Sequence, residues 1–164
     1  MVFNFFFKFP AKYTLDCHLR GHQDAILCLV VSSSGMLLAS RGFDGLRMWD
    51  LCKKVQLAEP LQIQSPQDPI MAIAWLMLND GSQETLCCRT ALGYLVIWRQ
   101  HLNTVVEFEE VMSRRISGSH EIMAITSDVG NSTGNCIIMA TQDRHVQAWT
   151  LDSRNRFSSM FSMQ

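Results

Sequence analysis

The amino-acid sequence predicts an all-β protein built from one four-stranded antiparallel sheet used three times. Ile70-Met71-Ala72-Ile73 recurs as Ile122-Met123-Ala124-Ile125, and Ile26-Leu27-Cys28-Leu29 has the same apolar pattern. A tryptophan follows each of these segments, at Trp49, Trp98 and Trp149. Two markers thus recur together at a period of about 50 residues, the signature of a repeat architecture. Between the markers the apolar runs are too short for helices and are bounded by Gly, Asp and Ser, which supply turns.

The elements follow in order. Residues 13–19 form an outer strand that precedes the first unit. In that unit, strands over 26–32 and 36–40 flank the turn Ser32-Ser33-Ser34-Gly35. The turn Gly42-Phe43-Asp44-Gly45 leads into a third strand over 46–49, where Arg47 alternates with apolar neighbours, and the fourth covers 55–63. The second unit repeats this over 70–78, 85–90, 94–98 and 105–116, with turns at Asn79-Asp80-Gly81 and Gly93. The third has strands over 121–127, 136–141, 145–149 and 157–163, a loop over 130–135 and a turn near Asp143. Residues 1–12 are an apolar N-terminal tail and 13–164 the repeat body, with repeats at about 21–63, 66–116 and 118–163.

Composition excludes several classes of function. In 164 residues, 14 basic side chains face 15 acidic ones, for a net charge of −1. That balance provides neither a nucleic-acid footprint nor a polybasic membrane patch. With 48% hydrophobic and 18% charged residues the chain is a folded protein, not a disordered one. The apolar stretch MVFNFFFKF lacks a basic leader and is far shorter than the roughly 20 residues a membrane helix needs.

The six cysteines (Cys17, Cys28, Cys52, Cys87, Cys88 and Cys136) form no CxxC pair, and adjacent Cys87 and Cys88 in a strand point to opposite faces. They are reduced core thiols, which places the protein inside the cell, in cytoplasm or nucleus. Cys17, His18 and His22 lack a second ligand pair for zinc, and neither GxxxxGK[ST] nor GxGxxG occurs, so no metal and no cofactor is expected. Met71, Met77, Met123 and Met139 are core fillers, whereas Met160 and Met163 lie near the end of an outer strand and are exposed.

Gly21-His22, Ile26-x-x-Leu29, the Ser-Gly turn, Leu38-Ala39-Ser40, Asp44-Gly45 and Trp49-Asp50 stand in the order of a WD40 repeat, and the chain resembles that family over residues 13–164. LGYLVIWRQ and DRHVQAW are similar to phrases in large multi-repeat WD40 proteins of fungi. The resemblance implies a β-propeller, each sheet being one blade around a channel, with 13–19 as a closing strand. It implies a non-catalytic protein–protein interaction scaffold. It also assigns His22, Ser40, Asp44 and Trp49 to the family's structural tetrad. Asp44 lies one residue closer to Trp49 than usual, which predicts a tighter turn and an altered Asp44 contact.

The other units keep Trp98, Asp143 and Trp149 as blade markers. Cys88, Leu92 and Pro66 stand at the Ser, Asp and His positions of the second unit, and Met139 and Gly118 at the Ser and His positions of the third. The second blade is therefore expected to be held by packing. The Ser-His-Asp set is not a nucleophile: Ser40 lies mid-strand with no GxSxG elbow.

Three blades leave two flat sheet faces where a ring should continue. The chain is expected to be incomplete by itself, either part of a longer product or paired with another copy or another propeller chain. Partners are expected to be proteins, met on the rim by Asp24, Arg41, Phe43 and Gln142. The alternatives are a truncated or inert propeller fragment and an accessory binding domain of a larger protein.

Overall fold

The computed structural model describes residues 16–57, 68–76, 84–100, 108–116, 122–128, 136–141, 144–151 and 156–164. Twelve strands occur among them. The first blade holds β1 (Ile26–Val31), β2 (Leu37–Gly42), β3 (Gly45–Asp50) and β4 (Val55–Gln56). The second holds β5 (Ile70–Leu76), β6 (Thr85–Thr90), β7 (Tyr94–Gln100) and β8 (Phe108–Arg115). The third holds β9 (Ile122–Asp128), β10 (Cys136–Thr141), β11 (Val146–Leu151) and β12 (Phe157–Met163). Each blade is an antiparallel meander in chain order. The first strands lie innermost, β5 being flanked by β1 and β9. No helix of the described residues is long and apolar enough to cross a membrane.

The blades stack face to face over two apolar cores. Between blades 1 and 2, Leu37, Ala39, Leu46, Met48 and Leu57 meet Ile73, Trp75, Leu86, Cys88, Val96 and Trp98. Between blades 2 and 3, Leu76, Cys87, Leu95 and Ile97 meet Ile137, Met139, Leu151 and Phe157. Blade 2 is thus covered on both faces, which is why β5 and the centres of β6 and β7 (Leu86–Cys88 and Leu95–Trp98) are continuously apolar, whereas the outer strand β8 carries Glu109, Glu110, Arg114 and Arg115. Cys87 and Cys88 face opposite cores. Burial pushes both thiols far up, so they act as small apolar groups. Two polar ties also cross the first junction. The Trp75 indole N–H donates to the Val30 carbonyl at 3.0 Å, and Arg41 Nε–H to the Ile70 carbonyl at 2.6 Å.

The structure departs from expectation at two described places. Residues 16–19 form no strand, although Asp16 pairs with Lys54 at 3.0 Å beside β4. Instead the segment leads to Gly21, where a Cβ would stand 2.7 Å from the Trp49 ring, so only glycine lets the chain run across that indole. Met71, expected in the core, is 42% exposed because a bulge between Ile70 and Ala72 turns it outward. Met160 and Met163 are exposed as expected, and Met139 is fully buried. The tail over 1–12, the turn at 79–81 and the loop over 130–135 lie outside the described residues, as does most of the fourth strand over 55–63.

The turns between the second and third strands of blades 2 and 3 both need a left-handed residue five positions before the tryptophan. Blade 2 has Gly93 there (φ 83°), and blade 3 has Arg144 (φ 67°). A side chain in that region costs about 1–2 kcal/mol. Arg144→Gly is therefore expected to raise the urea midpoint, and Gly93→Ala to lower it.

Candidate functional site

The β2–β3 hairpin of blade 1 brings four distant residues into one hydrogen-bonded chain. Ser40 and Trp49 share a sheet face, two rungs apart in the pairing of Leu38 with Trp49 and Ser40 with Arg47. The Trp49 indole N–H donates to Ser40 Oγ at 2.7 Å. Ser40 Oγ lies 2.7 Å from His22 Nε2, and His22 Nδ1 lies 2.6 Å from Asp44 Oδ1. An indole can only donate and a carboxylate only accept, so the protons run in one direction from Trp49 to Asp44, with His22 carrying its proton on Nδ1.

The second carboxylate oxygen of Asp44 accepts the Gln23 amide at 2.8 Å and the Arg47 guanidinium at 3.1 Å. Burial raises the Asp44 pKa, but the Gln23, His22 and Arg47 hydrogen bonds together outweigh it and hold the carboxyl well below the usual range. The turn is as tight as the short spacing predicts, Gly42 pairing with Gly45 around Phe43 and Asp44. The Asp44–His22 contact is nonetheless made, since the loop at His22 comes down to meet it. Ser40 is 1% exposed and held between indole and imidazole, so its hydroxyl has no approach for a substrate.

Blades 2 and 3 solve the same problem differently. With Cys88 in the serine position, the Trp98 indole N–H finds no acceptor among the described residues although the ring is fully buried. Packing alone therefore does not replace the network cleanly. One polar atom is left over, at a cost of about 1–3 kcal/mol. The tie between loop and turn survives in reversed form. In blade 1 the carboxylate sits in the turn and takes a loop amide, whereas in blade 2 Asp68 sits on the loop and takes the Leu92 amide at 2.7 Å.

The backbone bond beside this tie is common to both blades, from Phe43 N–H to the Ala25 carbonyl and from Ala91 N–H to the Pro69 carbonyl. In blade 3 the Trp149 N–H donates to Gln147 Oε1 at 3.2 Å, and the ring stacks on Phe157 with centroids 4.7 Å apart. Asp143 lies outside the described residues.

The loops and turns held this way form one rim of the blades. Phe43 is 68% exposed at the tip of its turn. Asp24 is exposed, and its carboxylate accepts the amide of Ala25. Arg41, expected to be a contact residue, is buried instead. Its guanidinium bonds Ile70, lies 3.6 Å from Met71 Sδ and sits 5.9 Å from the Phe43 ring centroid. It props the rim from beneath, as a cation under an aromatic ring. Ile26, Met71 and Leu92 are exposed on the same rim, so the surface is more apolar than the sequence reading had it. Gln142 lies outside the described residues.

No family model matches the chain. It is 27% identical over 142 residues to the Periodic tryptophan protein 2 homolog of Schizosaccharomyces pombe, a match covering 78% of this chain and 16% of that protein. The backbone superposes on U3-55K with a TM-score of 0.64 at 18% identity, over 88% of this chain and 41% of that one. Hsv2 of Kluyvelomyces marxianus gives 0.61 at 14% identity, over 87% and 47%. The chain has the fold of WD40-type propeller blades. It spans 16% of the length of the curated relative and under half of each solved propeller.

Sequence reasoning missed Asp68, Met71 and Leu92 on this WD40 rim. Only Asp68 left a readable signal, since Asp24 and Asp68 each stand two residues before the first isoleucine of their blades.

Two outcomes test the WD40 network. Ser40→Ala strands both the Trp49 N–H and His22 Nε2 and is expected to cost about 1–3 kcal/mol of unfolding free energy. Cys88→Ser offers Trp98 an acceptor and is expected to stabilise, giving shifts of opposite sign in denaturant melts. Because the Asp44 pKa is lowered on folding, its contribution is complete above the unfolded carboxylate value of about 3.9 and is lost as pH falls below it. The Tm gap between the wild type and Asp44→Asn is expected to be flat near neutral pH and to narrow in acid.

Proposed function

We infer that the chain is a non-catalytic docking module for another protein inside the cell, and that the rim formed by Ile26, Phe43, Met71 and Leu92 is its contact surface. The observation that carries this reading is the exposed Phe43 ring, held over the buried Arg41 guanidinium at the tip of a turn closed by the Asp44 network. An aromatic fixed in place loses little conformational freedom on binding, the property of an interface anchor.

Three further features support it. Ser40, His22 and Asp44 are consumed by structural bonds. The near-neutral charge favours a protein partner over a polyanion. Free thiols at Cys17, Cys28, Cys52, Cys87 and Cys88 suit a reducing compartment.

The test is quantitative co-purification of the tagged chain from its own cells, comparing the wild type with Phe43→Ser, Leu92→Ser and an exposed control remote from the rim, Glu109→Gln. A genuine partner is expected to fall at least tenfold with both rim variants and to be unchanged with the control. Equal recovery of the same proteins by all four chains would overturn the reading. For a purified partner, loss of an anchor of about 2 kcal/mol corresponds to a roughly 30-fold weaker Kd.

A further inference from the structure

Arg41 is a buried cation with only one strong acceptor among the described residues. A guanidinium carries five N–H donors, and the Arg41 side chain is 7% exposed. Its Nε–H donates to the Ile70 carbonyl at 2.6 Å. The other two contacts are weak. Nη2–H donates to the Met71 sulfur at 3.6 Å, and a thioether is a poor acceptor. The Phe43 ring centroid lies 5.9 Å away, at the limit of about 6 Å for a cation over a ring. The rim aspartates are engaged elsewhere, Asp44 with His22 and Arg47, Asp24 with the Ala25 amide and Asp68 with the Leu92 amide. A buried guanidinium placed like this gains from a second oxygen.

Met71 can supply that oxygen. It sits in the bulge between Ile70 and Ala72, which turns its side chain out to solvent, within reach of small solutes. Hydrogen peroxide converts an accessible methionine to its sulfoxide, a polar group with a strong acceptor oxygen. The sulfur lone pair attacks one peroxide oxygen, and the S–O bond forms as the O–O bond breaks. The proton on the transferred oxygen passes to the departing hydroxide, which leaves as water. Sulfur gives up two electrons and the peroxide takes them. With the oxygen turned toward Arg41, the N–H···S contact becomes a charge-assisted N–H···O bond of about 2.7–2.9 Å.

Position separates Met71 from the other methionines. Met48 and Met139 are fully buried, out of reach of an oxidant. Met36, Met160 and Met163 are exposed, but among the described residues only Met71 has a guanidinium on its sulfur. Oxidation elsewhere changes one side chain, whereas oxidation here also changes what a buried cation holds.

We propose that Met71 is a peroxide-sensitive switch of the rim, its sulfoxide capturing the Arg41 guanidinium that otherwise supports Phe43. Capture through Nη2 leaves the Nε bond to Ile70 in place, so the junction between blades 1 and 2 is kept. Phe43 loses the cation beneath its ring, and a polar group enters the apolar rim of Ile26 and Leu92. Docking weakens for both reasons. That last step rests on the rim being the contact surface, whereas the capture does not. Methionine sulfoxide reductases restore the thioether, which makes the change reversible.

Treating the purified chain with hydrogen peroxide tests the capture without any partner. Peptide mass mapping is expected to show one added oxygen on Met71 and none on Met48 or Met139. The NMR signals of the Arg41 Nε–H and the Phe43 ring are expected to shift in the oxidised wild type and to return after reductase treatment. In peroxide-treated Met71→Leu they are expected to stay in place, although the other exposed methionines still oxidise. Met71→Gln, which brings an amide oxygen, is expected to reproduce the shift without oxidant. A Met71 that resists peroxide, or equal shifts in the wild type and Met71→Leu, would overturn the capture.

Co-purification then tests the switch. Recovery of a partner that depends on Phe43 is expected to fall about fivefold when the wild type is oxidised, and to be the same for Met71→Leu before and after peroxide. Capture with unchanged recovery would overturn the switch and leave the rim reading standing. The absence of any Phe43-dependent partner would overturn the rim reading and the switch together, while the NMR shifts still decide the capture.

Discussion

Burial of both faces of each sheet is the constraint on which this molecule depends. A four-stranded meander makes its hydrogen bonds locally, yet its apolar side chains have no cover until another sheet lies against them. At about 25 cal/mol per Å² of apolar surface, covering a large side chain is worth roughly 1.5–3 kcal/mol. Blade 2, enclosed on both sides, collects that gain across Leu76, Leu86, Leu95, Ile97 and Trp98. This explains why Trp98 persists without an acceptor for its indole N–H: the two terms are of similar size, and the buried ring offsets its orphaned proton. The same argument makes cysteine acceptable at position 88, where a small apolar group fits the enclosed space between blades 1 and 2.

Polar networks do what packing cannot, which is to fix the places where the chain leaves the sheets. Blade 1 has one face covered by a neighbouring blade and holds its loop and turn with the full run from Trp49 to Asp44. Blade 2 has both faces covered and needs only the single Asp68 bond to Leu92. The two solutions put the carboxylate on opposite partners of the same contact. The geometry conserved within the chain is therefore the loop–turn distance, and not the residue that spans it. Arg41 belongs to this division of labour as well. Its fork is divided between a backbone carbonyl of the next blade and the underside of Phe43, so the junction between blades and the shape of the rim are set by one side chain.

How much of this was legible in the sequence follows from which contacts are local. Strands bounded by Gly, Asp and Ser turns lie close to where the apolar runs put them, and the three marker tryptophans, Trp49, Trp98 and Trp149, fall on the third strand of their blades. The blade 1 network was legible because its four members stand in the family's order around one hairpin, with Asp44 one residue closer to Trp49 than usual. Arg41 was not, because a charged residue beside a turn looks solvent-facing until the neighbouring blade supplies Ile70 as its acceptor. Met71 was misplaced for a related reason: alternation puts it in the core, and only the bulge in the β5–β6 pairing turns it out. The strand expected over 13–19 is absent at its described end, although Asp16 reaches Lys54 beside β4, because an apolar–polar pattern does not tell a paired strand from an extended segment held by side chains.

One further consequence concerns the two surfaces of blade 1. Ser40 and Trp49 lie on the same sheet face as Leu29 and Val31, whereas Asp44 adjoins Phe43 on the rim. The hydrogen-bonded chain thus runs from the open face of the blade to its exposed turn. It joins them because Ser40, His22 and Asp44 are each engaged on both sides and most of the chain is shielded from water, where such bonds are hardest to exchange. A change that tilts the Trp49 indole has to be transmitted through Ser40 and His22 to the carboxylate that shapes the Phe43 turn. The face and the rim of this blade are consequently parts of one hydrogen-bonded body.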